Sequence, residues 1–102
     1  MRLTIHAQGI DLNAPLREHI QMRLRTALSR FAPKIGRVDV HLRDENGPRG
    51  GVAERCLLRA RLGSRNLVVT RTREDIIAAV NDASERLADA ARRALAREHT
   101  HQ

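Results

Sequence analysis

His19, Arg23, Thr26 and Arg30 recur at three- and four-residue intervals. At about 100° per residue they fall on one line of a helix. That line runs beside an apolar one made of Leu16, Ile20, Leu24, Ala27, Leu28 and Phe31. Arginine presents a rigid fork of donors that matches phosphate, so the chemistry on offer is anion binding. A solvated helix face would carry the same residues with no partner. Arg86, Arg93 and Arg97 form a second basic edge at i, i+7 and i+11. Here too a local reading competes. Asp82 to Arg86 and Asp89 to Arg93 are i,i+4 pairs in the favourable orientation, and cations suit the negative end of a helix dipole.

Charge across the whole chain weighs on that choice. The net charge is +7 over 102 residues, carried by 18 Arg and one Lys. Such a balance favours an anionic partner, nucleic acid before membrane, although a GC-rich genome would also raise the arginine count. Residues 1–36 carry +4, residues 37–73 carry +5 and residues 74–102 carry −2. The positive field therefore belongs to the first helix and the strands.

Constellations that would make an enzyme are missing. His6, His19, His41, His99 and His101 are scattered; His99 and His101 sit on a polar end, where solvation is the simpler reading than a metal site. Cys56 stands alone in an alternating stretch, on its apolar side, which suits a buried thiol rather than a nucleophile or a disulfide. Gly47-Pro48-Arg49-Gly50-Gly51 does not match a phosphate-loop pattern. Nothing beside Asp44 and Glu45 in the sequence suggests acid–base work. No cofactor, metal or small-molecule substrate is expected. Trp and Tyr are absent and Phe31 belongs to the apolar line, so any RNA contact should run through phosphates and shape.

The elements that must position these arginines follow from periodicity. Residues 3–7 alternate as a half-buried strand, and Gly9 lies in the connection after it. Asn13 is an N-cap for a helix over residues 13–31, with Pro15 in its first turn and Pro33 and Gly36 at its end. Val38, Val40 and Leu42 alternate with Asp39, His41 and Arg43 in a second strand, parallel to the first across the helical crossover. Residues 45–51 read as a loop. Residues 52–62 and 67–71 form a hairpin around a turn at residues 63–66. Thr72 is placed to cap a second long helix, with Asp75 at the capping-box distance. Ile76, Val80, Ala83, Leu87, Ala91 and Ala94 are its apolar face. The order β-α-β-β-β-α predicts an α+β two-layer sandwich, a four-stranded mixed sheet with two helices on one face. Its open face would carry Arg43, Arg55, Arg59 and Arg61. Residues 1–98 are expected to form one domain and residues 99–102 a frayed polar tail. No secretory signal precedes the first strand and no apolar run is long enough to span a membrane, so a cytoplasmic protein is expected.

These residues resemble the ribosome hibernation promoting factor family, which includes ribosome-associated inhibitor A (factor Y) and is also labelled sigma-54 modulation protein. Leu16-Arg17-Glu18-His19-Ile20 resembles the opening of the family's first helix, with His19 in place of Tyr. Arg23-Leu24 and Arg30-Phe31 resemble its continuation and close. Asp75-Ile76-Ile77-Ala78-Ala79-Val80-Asn81 resembles the start of the second helix, with Ile77 in place of Tyr and Asn81 in place of Asp. Asp89 lies where relatives tend to be basic.

The resemblance implies a fold similar to double-stranded RNA-binding domains. It implies docking on the 30S ribosomal subunit and its rRNA, between head and body, blocking the mRNA and tRNA sites in stress or stationary phase. The positions it matches are Arg23 and Arg30 on the first helix and Arg86, Arg92 and Arg93 on the second. Charge placement adds Arg25 and Arg97. Long members carry a further dimerising domain; the chain resembles a short form, expected to be monomeric off the ribosome and to need a second factor for any ribosome dimer. The alternatives are a generic double-stranded RNA-binding module and a protein-interaction domain acting on a transcription factor.

Overall fold

A computed structural model describes residues 1–45, 51 and 53–100. The chain runs β1 (Arg2–Gln8), α1 (Ala14–Ala27), a 3-10 helix (Ser29–Lys34), β2 (Ile35–Asp44), β3 (Glu54–Leu62), β4 (Arg65–Arg73) and α2 (Ile76–Thr100). Sheet order is β1-β2-β3-β4, with β1 parallel to β2 and the other pairs antiparallel. Both helices pack on one face, giving the mixed-sheet sandwich that the periodicity predicts. The glycine-rich stretch at 46–50, Val52, and His101 and Gln102 of the expected tail lie outside the described residues.

Asn13 caps α1 as expected, its Oδ1 accepting the Leu16 N–H at 2.9 Å. The helix then ends earlier than its apolar line does. Pro33 has no N–H to donate, and in an α-helix its ring would clash with the Ser29 carbonyl. The chain tightens into the 3-10 helix, where the Phe31 N–H reaches the Leu28 carbonyl at 2.9 Å. Phe31 stays buried, so the stripe outlives the helix type.

β4 is longer at both ends than residues 67–71. Leu62 pairs directly with Arg65, leaving Gly63-Ser64 as a two-residue hairpin turn. Gly63 supplies a positive φ of 61° at the first turn position, where a side chain would be strained. At its other end β4 runs through Thr72 to Arg73, so Thr72 is a strand residue and not the expected helix cap. Asp75 takes that role, accepting the Ile77 N–H at 3.0 Å, while Glu54 of β3 accepts the Ile76 N–H at 2.9 Å. Asp75→Ala is expected to cost about 1 kcal/mol in urea unfolding. α2 continues through Thr100, past the expected start of the tail.

The core lies between the layers. Val38, Val40 and Leu42 of β2 and Cys56, Leu58, Ala60 and Leu62 of β3 meet Ile20 and Leu24 of α1 and Val80, Ala83, Leu87 and Ala91 of α2. Burial pushes the Cys56 thiol up to about 12, so it stays protonated and unreactive at neutral pH. Ser84 is the buried polar residue among them; its hydroxyl donates to the Val80 carbonyl at 2.7 Å.

The opposite sheet face carries register rows Thr4-Asp39-Arg59-Val68, His6-His41-Leu57-Thr70 and Gln8-Arg43-Arg55-Thr72. The Thr4 hydroxyl and then Arg37 hydrogen-bond Asp39 and hold its carboxyl below the usual range. A lowered pKa means that the folded state binds fewer protons, so this contribution is present above the unfolded pKa of 3.8 and is lost as pH falls through the folded value. Asp39→Asn should remove that part of the acid limb, under about 1 kcal/mol for so solvated a pair, when unfolding is followed from pH 6 down to pH 2.

Candidate nucleic-acid interface

A helix of the length of α2, 25 residues, spans about 37 Å and can serve two flanks of the molecule at once. Asn81, Glu85, Ala88 and Arg92 recur at helical spacing along the flank facing α1. Asp82, Arg86, Ala90, Arg93 and Arg97 recur along the flank facing β4. The seven arginines expected to bind RNA therefore divide, and the division decides which of them is available.

On the α1 flank, His19 Nε2 lies 2.8 Å from Asn81 Oδ1. These are two of the positions at which the chain departs from the pattern of the family it resembles, and they meet across the helix pair. Arg23 Nη2 pairs with Glu85 Oε1 at 2.9 Å, and Arg92 Nη2 with Asp89 Oδ1 at 2.7 Å. Arg23 and Arg92 line one groove with Thr26, Ala27 and Ala88, but each already faces a carboxylate. An incoming phosphate would have to displace Glu85 or Asp89. Arg25 and Arg30 are exposed and have no acidic partner among the described residues. The Arg30 guanidinium carbon lies 6.0 Å from the centroid of the Phe31 ring, at the outer limit of a cation–π contact.

On the β4 flank the structure corrects the expected helix pairs. Asp82 does not serve Arg86; its Oδ2 lies 3.5 Å from Arg71 Nε and 3.4 Å from Arg73 Nη1. Arg71 and Arg73 are two apart on β4 and share its helix-facing side, so they bracket one carboxylate from across the layer. Asp89 likewise turns to Arg92 and away from Arg93. Arg86 and Arg93 are left without an acidic partner among the described residues, which removes the ion-pair explanation for them.

Arg93 and Arg97 come together with Arg65 around a shallow groove between α2 and β4, floored by Leu67, Ala90 and Ala94. Arg65 Nε is 3.9 Å from Glu98 Oε1, a long and exposed contact. Sequence reasoning missed Arg65 by placing it in a four-residue turn. The signal was Gly63-Ser64, a glycine-first dipeptide between two strands, which closes a hairpin by itself. Small alanines let a phosphodiester backbone approach, and the flanking guanidinium groups can each grip it through two parallel N–H bonds.

The acidic residues of α2 are thus consumed by arginines of α1 and β4 and by Arg92. Arg25, Arg30, Arg86, Arg93 and Arg97 project their charge outward from the helix layer. Among the described residues no three His, Cys, Asp or Glu side chains gather to hold a metal ion. No helix among them is long and apolar enough to cross a membrane.

A family model described as Sigma 54 modulation protein / S30EA ribosomal protein matches residues 3–99. No curated protein matches the chain in sequence. Among solved structures, the N-terminal domain of Protein Y from Thermus thermophilus is similar in fold. It superposes with a TM-score of 0.75 at 17% identity, covering 91% of this chain and 98% of that one. A ribosomal subunit interface protein from Coxiella burnetii gives a TM-score of 0.78 at 15% identity, covering 94% and 99%.

Proposed function

The chain belongs to the Sigma 54 modulation protein / S30EA ribosomal protein family, and from that premise we propose that it is a ribosome hibernation factor that represses translation by occupying the small subunit. The domain of residues 1–98 would dock against rRNA and sterically block the mRNA and tRNA sites, with no bond made or broken. The observation that supports this most directly is the set of outward arginines with no carboxylate partner among the described residues, Arg25, Arg30, Arg86, Arg93 and Arg97, on a chain whose family match runs nearly end to end. A structural neighbour is itself titled a ribosomal subunit interface protein. Arg23 and Arg92 play a secondary part, because Glu85 and Asp89 must first be displaced.

Co-sedimentation with separated subunits across a salt series, with and without mRNA and initiator tRNA, tests this. Small-subunit binding that weakens steeply with salt and is displaced by mRNA or tRNA is the expected result. Binding that ignores both, or that follows any duplex RNA equally, would sink the occlusion mechanism.

A further inference from the structure

The face of the sheet that the helices leave bare is not chemically plain. In the parallel register of β1 and β2, His6 stands opposite His41. Their rings are stacked, with centroids 5.1 Å apart and planes inclined by 19°. Both residues are exposed. A stacked pair leaves one face of each ring uncovered by the other. Beside them a hollow in the sheet surface is lined by Gln8, Arg43, Arg55, Leu57 and Arg59. Arg55 Nε is 3.1 Å from Glu45 Oε1, whereas Arg43 and Arg59 have no acidic partner among the described residues. The nearest carboxylate in the rows, Asp39, is taken by Thr4 and Arg37.

Two rings in a stack, an aliphatic floor and, one register row to either side, guanidinium groups with no acidic partner among the described residues are the parts of a site for an unpaired nucleotide. Base–aromatic stacking tolerates any base, and imidazole is one of the rings that supplies it. Cations beside the stack neutralise the phosphates on either side of the base. A regular duplex buries its base faces and has nothing to offer the rings. We infer that this open sheet face is a second RNA-binding surface, in which His6 and His41 extend a stack onto an unpaired base of single-stranded RNA while Arg43 and Arg59 hold its phosphates. It lies on the opposite layer from the arginines of α1 and α2 and does not depend on their role.

The test uses the whole chain, a fluorescent oligoadenylate and an RNA duplex of equal length, without ribosomes. Anisotropy titrations compare the wild type with His6→Ala/His41→Ala and with His6→Phe/His41→Phe. The alanine pair is expected to lose about tenfold in oligoadenylate affinity while its duplex affinity holds. The phenylalanine pair, which keeps stacking rings, should bind oligoadenylate at least as well as wild type. Equal binding by the alanine pair, an equal loss toward duplex, or a phenylalanine pair as weak as the alanine pair would each overturn the proposal. Should the alanine pair fail to fold, imidazole proton resonances of the wild-type protein decide. Oligoadenylate should shift those of His6 and His41, and shifts confined to α1 and α2 would refute the site.

Discussion

The double variant Arg93→Glu/Arg97→Glu is expected to lose about 100-fold in affinity for ribosomes while unfolding at nearly the wild-type urea concentration. Both residues are exposed and neither is tied to a carboxylate among the described residues, so removing them breaks no internal pair. Each reversal does more than delete a contact: it sets a carboxylate against a phosphate at the lip of the groove with Arg65. The salt dependence carries the diagnosis. Fewer counterions are released, so the slope of log affinity against log salt should flatten by about two. Arg23→Gln is the contrasting variant, because Arg23 spends its charge on Glu85 at 2.9 Å. It should change binding less than either reversal on the β4 flank. A folded double variant that binds like wild type, with the same slope, would remove the groove from the interface.

Leu87→Ala should cost about 3 kcal/mol, a large part of the roughly 5–15 kcal/mol that holds a domain of this size together. Leu87 is fully buried at the middle of α2, with Ala83 and Ala91 one turn away on either side. Those alanines let the helix lie close to the sheet, and they have no length with which to fill a hole. Apart from Phe31, Cys56 and Ser84, the buried core is built of aliphatic side chains. The gap left by Leu87 would therefore stay open. Urea unfolding should show a lower midpoint with an unchanged slope. A loss below about 1 kcal/mol would mean that α1 and α2 settle inward, and that the helix layer is more plastic than its packing implies.

Much of this fold could be read in the residue order because its signals are local. Val38, Val40 and Leu42 alternate, Leu16, Ile20 and Leu24 recur at helical spacing, and Asn13 announces its helix. The limits of β4 could not be read the same way, since Arg65, Thr72 and Arg73 look like turn and cap residues until pairing with β3 places them in a ladder. The site was harder still. Spacing and resemblance single out seven arginines, but which of them carry free charge depends on contacts between distant parts of the chain. Arg23 meets Glu85 across 62 positions, and Asp82 meets Arg71 and Arg73 across a layer. Short-range rules instead gave Asp82 to Arg86 and Asp89 to Arg93. The His6–His41 stack lay hidden for the same reason: it exists only in a register fixed by a crossover.

That crossover sets the order in which the molecule comes apart. β3 and β4 are joined by two residues, whereas β1 reaches its single neighbour β2 only after the whole of α1 and the 3-10 helix. Closing so long a loop is entropically dear, and an edge strand has one ladder to repay it. The amide protons of Leu3, Ile5 and Ala7 should therefore exchange with deuterium well before those of Leu58 and Ala60 in the central strand. Closing on RNA over the histidine pair would slow the β1 amides first, so their exchange rate is a clock that reports occupancy of the sheet face from its own margin.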